Sequence, residues 1–370
     1  MADVKIDEFL VFSDHHSHPF SYGAEEVLHD GKHVNSRVFH SYDVLRQIKD
    51  YAAKNNIKKT VFCGDMFHVP QNLSVAALNL TFSAIKDLAA VSQVFLMPGN
   101  HDYADREGKL HSLSVFSSIK NVKVMDWESS LSVSTAGSLG DSVTYAFVPY
   151  HLDKSRLVST IQAHAKAVSG PTILFGHFGI QGATIGSDYV LVSDHDMSAS
   201  DIPWQAFTGC LFGHYHKHQQ LFKNGWYVGA THAHTWGDAN ERRGFLHVCA
   251  YLDYITVKFV ETKAPRFLLM DSPAPADALD FVRIKSTDTT LSPEAAEQIK
   301  KAVGSAVCEI VHVEKSYQLE DMELSEDNLS PNKMLESWVQ ANKDQLKEQV
   351  PSKSLTEVLE FGRRLLGGSQ

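Results

Sequence analysis

The 370-residue sequence predicts a layered α/β/β/α fold with smaller additions at its carboxyl end. In the first half, short apolar runs alternate with amphipathic stretches, which is typical of strands that alternate with helices. Strand-like runs then outnumber helical ones up to residue 260, which favours two packed sheets over one purely parallel sheet. A single core usually stops growing near about 250 to 300 residues, so we expect the rest of the chain to form appendages.

Apolar runs predict the strands, and helically spaced apolar residues predict the helices between them. The strand-like runs cover residues 9–14, 59–65, 93–102, 144–150, 171–177, 209–216, 224–230, 244–250 and 254–260. The helical segments cover residues 45–52, 75–89 and 156–167. These elements make up the predicted layers.

A small β-α-β unit is predicted after residue 260, where a segment rich in Pro, Ala and Asp interrupts the strands. Its strands are expected at 281–285 and 307–313. Its helix is expected to begin after the N-cap Ser292 and to end at Gly304. We call this part the capping unit.

Two further helices are predicted after an acidic run near residue 320, and the second begins with a capping box formed by Ser354 and Glu357. They form a helical tail. The predicted boundaries are 1–262 for the main domain, 263–320 for the capping unit and 321–370 for the acidic linker with the tail.

The composition is that of an ordinary globular protein, with 43% hydrophobic and 21% charged residues. No segment approaches the ~20 consecutive apolar residues that a membrane-spanning helix needs, and the amino terminus does not resemble a secretion signal. We therefore expect a cytoplasmic protein without membrane contact. The four cysteines are far apart and are predicted to be buried free thiols rather than disulfides or a zinc site.

Polar clusters follow five of the predicted strands, where the chain leaves the sheets and side chains can converge. In an extended segment, residues two apart point the same way, which pairs Asp14 with His16 and directs His15 elsewhere. Carboxylate, imidazole and amide donors without thiolates suit manganese, iron or zinc. The clusters contain Asp14, His16, Asp65, Asn100, His101, Asp102, His177, His214 and His216.

Asp65 is the natural bridge of such a site, because two ions about 3.5 to 4 Å apart need a shared ligand and a carboxylate has two oxygens. A lone Asp or His after a strand is usually a loop or capping residue. Five such clusters in one order favour a metal centre over that simpler interpretation.

The motif series DxH, GD, GNHD, GH and GHxH resembles the calcineurin-like metallophosphoesterase superfamily, whose fold is a β-sandwich flanked by helices. The resemblance implies that His101 acts as a general acid or as a donor to the phosphate, and that Asp102 orients it. A histidine can donate a proton near neutral pH, and a neighbouring carboxylate fixes its tautomer. The resemblance implies one ion on Asp14, His16, Asp65 and His216, and a second on Asp65, Asn100, His177 and His214.

Three features resemble the SbcD-type DNA repair nucleases, including the phage recombination nucleases. The stretch GDMFHVPQNLS is similar to their GDxFHxxxPS pattern and gives His68 a place near the metals. Segment 224–248 is similar to the segment that follows the GHxH motif in these nucleases, and the capping unit and helical tail are similar to their carboxyl-terminal parts. Two features depart from the family: Ser17-His18 replaces a common Leu-Gly pair, and Pro70 lies slightly early for the GDxFHxxxPS pattern.

The SbcD-type resemblance implies a DNA exonuclease or endonuclease with two divalent ions, manganese first and magnesium, iron or zinc as alternatives. It implies a role in DNA repair and recombination with an SMC-like ATPase of the SbcC type. We also expect a homodimer, in the cytoplasm of a bacterial or phage-infected cell.

Two sets of residues are candidates for contacts with DNA and with the ATPase. A basic set would contact the DNA backbone, and the alternative is an ordinary solvated face. An apolar set on the two tail helices would dock on the coiled-coil base of the ATPase, and the alternative is packing within the chain. The basic set is Arg242, Arg243, Lys263 and Arg266, and the apolar set is Leu335, Trp338, Val339, Leu355, Val358 and Leu359.

Two other functions stay open at this stage. A metallophosphoesterase for a small phosphate ester or cyclic nucleotide would carry the same motifs. The net charge of −10 leans that way, since phosphate backbones are bound by clustered Lys and Arg, although bound cations can dominate the charge of a site. A non-catalytic scaffold is less consistent with the sequence, because every expected ligand and His101 are present.

Overall fold

The computed structural model describes residues 4–105, 108–127, 129–134, 142–185, 189–190, 196–286, 292–312, 339, 354 and 356–359. The chain divides into two compact units, residues 1–312 and residues 313–370. Among the described residues, no helix has the length and apolar character needed to cross a membrane.

Within the described residues, the first unit contains two six-stranded sheets, one three-stranded sheet, two two-stranded sheets and four α-helices. The described strands are β1 (Asp7–Phe12), β2 (Glu26–His29), β3 (Lys32–Asn35), β4 (Lys59–Cys63), β5 (Gln93–Met97), β6 (Val122–Val124), β7 (Ser129–Ser134), β8 (Ser142–Val148), β9 (Thr172–His177), β10 (Thr184–Ile185), β11 (Tyr189–Val190), β12 (Gly209–Gly213), β13 (Gln219–Phe222), β14 (Gly225–Tyr227), β15 (Gly244–Ala250), β16 (Ile255–Glu261), β17 (Phe267–Met270), β18 (Phe281–Ser286) and β19 (Val307–His312). The described helices are α1 (Ser36–Lys54), α2 (Val75–Ala89), α3 (Lys154–Ala167) and α4 (Pro293–Val303).

The two large sheets pack face to face. Their strand orders are β16-β15-β1-β4-β5-β6 and β13-β14-β12-β9-β8-β7. Phe9 of the first sheet packs against Tyr145 and Phe175 of the second, with ring centroids 5.3 and 5.9 Å away. Helices α1 and α2 cover the outer face of the first sheet, and α3 covers that of the second. The predicted α/β/β/α arrangement is confirmed.

Parallel pairing places the motif-bearing strand ends together. Strands β1, β4 and β5 are parallel neighbours in the first sheet. Strands β9 and β12 are parallel neighbours in the second. Because neighbouring parallel strands end at the same edge of a sheet, the loops after these five strands leave the sandwich on one side.

The hairpin β2–β3 and strand β7 were not predicted, and both carry few apolar residues. The hairpin β2–β3 is mostly exposed and carries few apolar residues, so its pairing depends on backbone hydrogen bonds and a turn at Gly31. Strand β7 has the serine-rich sequence SSLSVS and pairs with β8 at a sheet edge. Short segments with few apolar residues give only a weak strand signal, which is why these were not predicted.

The capping unit is a three-stranded parallel sheet in the order β17-β18-β19. Its helix α4 follows the N-cap Ser292, whose hydroxyl accepts from the N–H of Ala295 at 3.2 Å, and ends at Gly304 with φ +81°. The β-α-β prediction is confirmed here, and β17 adds a strand that was not predicted. The structure joins this unit to the sandwich within residues 1–312, while the boundaries at 262 and 320 stay predictions.

The second unit is described at only a few positions. Ser354 and Glu357 form the predicted capping box, with the N–H of Ser354 donating to Oε2 of Glu357 at 2.8 Å. Val339 is buried, and Val358 and Leu359 are half-buried. The other candidates for partner contacts, Leu335, Trp338 and Leu355, lie outside the described residues.

All four cysteines are free, as predicted. Cys63 and Cys210 are buried, as expected for thiols inside the sandwich. The expectation of burial is wrong for Cys249 and Cys308, which are half-buried because the faces of β15 and β19 that carry them are incompletely covered.

Candidate metal centre and active site

Asp65 lies between two groups of donor side chains. Its Oδ2 is 3.6 Å from Nε2 of His16 and 3.4 Å from Nε2 of His177. The side chains of all three are at most 3% exposed. The other oxygen of Asp65 accepts from the backbone N–H of His101 at 2.8 Å, so Oδ2 is the atom that faces both groups.

The first group contains Asp14, His16 and His216. One ligand atom from each lies within 4.8 Å of the other two. The Nε2 atoms of His16 and His216 are 3.2 Å apart. Two imidazole nitrogens so close point at a common position, as the ligands of one ion do.

The second group surrounds Asn100. Its Oδ1 is 3.0 Å from Nε2 of His177 and 3.1 Å from Nδ1 of His214. Asp14, Asp65 and His177 also have ligand atoms within 4.8 Å of one another. The two groups therefore meet in one pocket, which contains every residue predicted to bind a metal.

The backbone at the site adopts an unusual conformation. Asp14, His16, Asp65 and His214 have positive φ values of 50°, 46°, 66° and 106°. The predicted pairing of Asp14 with His16 is present, and His15 turns away to contact Thr231, but the segment is left-handed rather than extended. Such residues cost about 1 to 3 kcal/mol each and persist where neighbouring contacts hold them. Here the N–H groups of His15 and His16 both donate to the carbonyl of Asp65 at 2.9 Å.

Gly64 occupies a position that no other residue fits without strain. Its φ is +101°, and a Cβ there would collide with the ring of His177 and the backbone of Gly99. The glycine that precedes Asp65 in the GD motif therefore permits the close approach of two motif loops.

Gly64→Ala is expected to destabilise the fold by about 1 to 3 kcal/mol and to weaken metal binding, because His177 must shift. Thermal unfolding and a manganese titration would measure the two effects. Gly31→Ala is the matched control, since Gly31 has φ +73° but no atom within 4 Å of a built Cβ. In the Gly31 variant only the stability should change. An equal loss of metal affinity in both variants would contradict the role of Gly64 in bringing the two motif loops together.

The contacts of Asp102 differ from those expected of a residue that orients His101. Its Oδ2 accepts from the N–H groups of Asp65 and Gly99 at 2.9 and 3.0 Å, and its Oδ1 accepts from Met66 at 3.0 Å. The side chain is fully buried and ties the backbones of two motif loops together. The expectation that Asp102 orients the imidazole of His101 by contact is therefore replaced by a role in shaping the loops.

The carbonyl oxygen of His68 orients His101 instead, at 2.9 Å from its Nδ1. A carbonyl oxygen only accepts, so Nδ1 carries the proton in this contact and Nε2 stays available. The rings of His68 and His101 are stacked, with centroids 5.2 Å apart and planes 11° apart. Nδ1 of His68 is 3.5 Å from Nδ1 of His16, which places His68 beside the first group. His18 contacts the ring of His68 farther out.

The residues present fit divalent cations. Burial alone would raise the pKa of Asp65, but the charge of His177 lowers it to about 2. Burial likewise lowers the pKa of His177, yet the charge of Asp65 outweighs it and raises the pKa to about 9. Within the described residues, histidines are the cationic partners of Asp65, and no Lys or Arg pairs with it. Cations would take over this charge balance and release the proton of His177, so metal affinity should rise with pH.

Asp238 is a functional residue that the sequence reasoning missed. Its Oδ1 is 3.1 Å from Nδ1 of His216, and its Oδ2 accepts from the N–H of His234 at 2.8 Å. Burial would raise the pKa of Asp238, but the hydrogen bond to His216 and the charge of Arg243 hold it well below its usual range. A carboxylate on the far nitrogen of a ligand histidine fixes the ring for metal binding. Its position in a Gly-Asp pair after two histidines was the available signal.

Arg243 is not available for DNA, which corrects its predicted role. Its side chain is 6% exposed, and its guanidinium donates to Asp238 at 2.9 Å and to the carbonyl of His216.

The other three members of the basic set are more accessible, but two of them pair with carboxylates. Arg242 is 71% exposed and pairs with Glu261 at 3.0 Å. The other two members of the basic set are Lys263, next to Gln47, and Arg266, which pairs with Asp280 at 2.6 Å. Three of the four cations thus face carboxylates, which weakens this surface as a DNA contact.

Arg243→Met is expected to cost about 3 to 5 kcal/mol of stability, because it leaves the Asp238 carboxylate buried without its cation. The adjacent Arg242→Met is the control, for which an exposed ion pair predicts about 0 to 1 kcal/mol. Chemical unfolding of both variants measures the difference. Equal and small losses would show that the buried pair does not stabilise the fold.

The fold and the donor residues of the site are those of one protein family. Residues 8–218 match the family of calcineurin-like phosphoesterases, which is more than half of the chain, and the chain belongs to this family. Its members hydrolyse phosphoesters and use two divalent metals. The match ends within the site, just after His216, and leaves the strands from β13 onward outside it.

Curated relatives match the chain only in part. The chain is 28% identical over 143 residues to the DNA double-strand break repair protein Mre11 of Saccharolobus solfataricus, covering 38% of this chain and 35% of the relative. It is 22% identical over 192 residues to a phosphoesterase homologue, 244L, of Invertebrate iridescent virus 6, covering 50% of this chain and 62% of the relative. Among solved structures, a dimetal phosphatase from Danio rerio has 10% identity and a TM-score of 0.43, covering 70% of this chain and 97% of that one.

Proposed function

We propose that this protein is a two-metal DNA nuclease of the SbcD type, which hydrolyses phosphodiester bonds in DNA repair and recombination. The metal centre supplies the phosphoesterase chemistry of the family. The observation that carries the narrower proposal is the capping unit, which is built against the metal-binding loops. The partial match to the DNA double-strand break repair protein Mre11 of Saccharolobus solfataricus supports the same substrate class.

The capping unit meets the metal centre through Arg37, which is 5% exposed. Its guanidinium donates to the carbonyl of His234 at 2.7 Å and stacks over the rings of Phe281 and Phe267 at 4.9 and 5.3 Å. The ring of His234 in turn lies 5.1 Å from that of His16. The unit therefore borders the metal pocket rather than lying apart from it. A polymeric substrate benefits from such added surface, whereas a small phosphate ester does not need it.

In the proposed reaction, Asp14, His16, Asp65, Asn100, His177, His214 and His216 would hold two divalent ions, with manganese first. When bound, such ions neutralise charge on the phosphate oxygens and make a water molecule a stronger nucleophile. His101, held by the carbonyl of His68, would present Nε2 to the leaving oxygen or to the phosphate. Asp102 and Asp238 would keep the loops and ligand rings in place.

A small phosphate ester or cyclic nucleotide is the second candidate substrate. The observation that favours it is electrostatic. The net charge is −10, and three of the four candidate DNA-binding cations pair with carboxylates. Phosphate-backbone binding ordinarily rests on unpaired Lys and Arg.

One experiment separates the two substrates. The purified protein is incubated with manganese and labelled single-stranded or double-stranded DNA, beside nucleotides, cyclic nucleotides and p-nitrophenyl phosphate. Cleavage of DNA that EDTA abolishes, and that a His101→Ala preparation lacks, supports the nuclease. Turnover of the small esters with intact DNA would overturn it and leave the phosphoesterase assignment in place.

We also propose that the helical tail docks on an SMC-like ATPase of the SbcC type and that the protein acts as a homodimer. Deleting residues 328–370 is expected to abolish association with such an ATPase and to spare manganese-dependent hydrolysis, because every site residue precedes residue 262. Co-purification and a turnover assay would measure the two effects. Val339 is buried, as the packing alternative expects, so loss of folding in the deletion variant would favour that alternative.

A further inference from the structure

We infer that Glu8, His247 and Cys249 form a separate site for one divalent cation of the zinc type. The three residues lie at the opposite end of β1 from Asp14. Asp14 follows Glu8 by six positions, which corresponds to about 20 Å at about 3.3 Å per residue, so this site is distinct from the two-metal centre.

The donor atoms already stand at distances that suit a shared ion. Oε1 of Glu8 is 2.9 Å from Nε2 of His247 and 3.8 Å from Sγ of Cys249. All three donor atoms lie within 4.8 Å of one another. In a tetrahedral zinc site, bonds of about 2.0 to 2.3 Å place neighbouring ligand atoms about 3.3 to 3.8 Å apart. Small side-chain rotations would therefore suffice to bind an ion.

The backbone fixes this arrangement. Strands β1 and β15 are antiparallel, with Glu8 opposite Cys249 and Leu10 opposite His247. Residues two apart in a strand share a face, so His247 and Cys249 point to the same side as Glu8. The site thus rests on paired strands rather than on a loop, which keeps its geometry constant.

Neighbouring side chains orient two of the three donors. The hydroxyl of Tyr51 is 3.1 Å from Nδ1 of His247, a contact that leaves Nε2 to face the carboxylate. Lys5 donates to Oε2 of Glu8 at 2.6 Å and leaves Oε1 directed at His247 and Cys249. Partners on the far atoms of ligand groups are a regular feature of metal sites.

The site is open enough for an ion to enter. The side chain of His247 is 15% exposed and that of Glu8 is 32% exposed. Three protein ligands leave a fourth position for water or an outside ligand.

Cobalt titration of the full chain tests the site, because cobalt bound to a thiolate has a charge-transfer absorption that the oxygen and nitrogen donors of the two-metal centre cannot produce. One equivalent of this absorption is expected, and zinc should displace it. Cys249→Ser and His247→Gln should each remove it. Cys308→Ser, which removes another half-buried thiol, is the control and should retain it. Tyr51→Phe should weaken binding by about 10- to 100-fold without removing the band.

Absence of a thiolate band in the wild type, or its survival in Cys249→Ser, would overturn the site. Should a variant fail to fold, the same question is answered in the wild type by thiol labelling. Zinc is expected to protect one thiol that reacts in its absence, and unchanged labelling at Cys249 would overturn the proposal. These readouts do not involve DNA cleavage, so they are independent of the proposed nuclease function.

Discussion

Replacing Asp65 with alanine is expected to empty both metal positions and to abolish hydrolysis. Oδ2 of Asp65 faces His16 at 3.6 Å and His177 at 3.4 Å, so one side chain serves both donor groups. Loss of the ions removes several kcal/mol of charge stabilisation, and each 1.36 kcal/mol is about tenfold in rate. We therefore expect turnover to fall by at least about 1,000-fold.

Metal content per chain, measured by mass spectrometry after dialysis, checks the first part of this prediction. Asp105→Ala is a suitable control, since this half-buried aspartate accepts from the backbone N–H groups of Lys109 and Leu110, and none of its contacts within the described residues is to a candidate ligand. The control should keep both ions and its activity. If the Asp65 variant retained two ions, Asp65 would not be the bridge.

Replacing His101 with alanine is expected to leave the metal content intact and to reduce turnover by about 100- to 10,000-fold. The structure explains the separation of the two effects. His101 contacts Asp65 through its backbone N–H at 2.8 Å, which alanine preserves, whereas the imidazole contacts the carbonyl of His68. The variant therefore loses a proton donor without losing the support of the bridging carboxylate.

The leaving group of the substrate distinguishes the two roles open to His101. If it protonates the leaving oxygen, the loss should be much smaller for a p-nitrophenyl ester, whose leaving group needs little help, than for DNA. If it donates to the phosphate instead, turnover of both substrates should fall by the same factor. His18→Ala is the control, because His18 contacts His68 and Phe20 but not the donor groups. Normal turnover in the His101 variant would remove this residue from the mechanism.

The candidate ligands could be predicted because the relevant signals are local. Each cluster directly follows an apolar run, and parallel strands bring such positions to one edge of a sheet. The α4 helix was predictable for the same reason, since Ser292 and Gly304 act on the backbone within a few residues of themselves. In both cases the residues that cause the structure lie within a few positions of the residues they affect, so a local sequence pattern reveals them.

The role of Asp102 and the importance of Asp238 were not predictable in this way. Asp102 acts on the backbone of Asp65, 37 residues away, and Asp238 acts on His216, 22 residues away. Hydrogen bonds at such separations exist only after the loops have come together. A motif shows that a carboxylate is near a histidine in sequence, but not which nitrogen or N–H group it reaches.

By itself, the sequence determined the layered fold class, the strands that carry the site motifs and the chemistry of the donor set, since these follow from periodicity and residue type. The tertiary structure alone decided how these residues are used. Arg242 and Arg243 are adjacent and identical in type, yet one is exposed and the other completes a buried ion pair. Left-handed backbone at Asp14, His16 and Asp65 aims the ligands, and contacts between distant loops hold it there. Burial and backbone strain are properties of packed surroundings, which is why no local pattern encodes them.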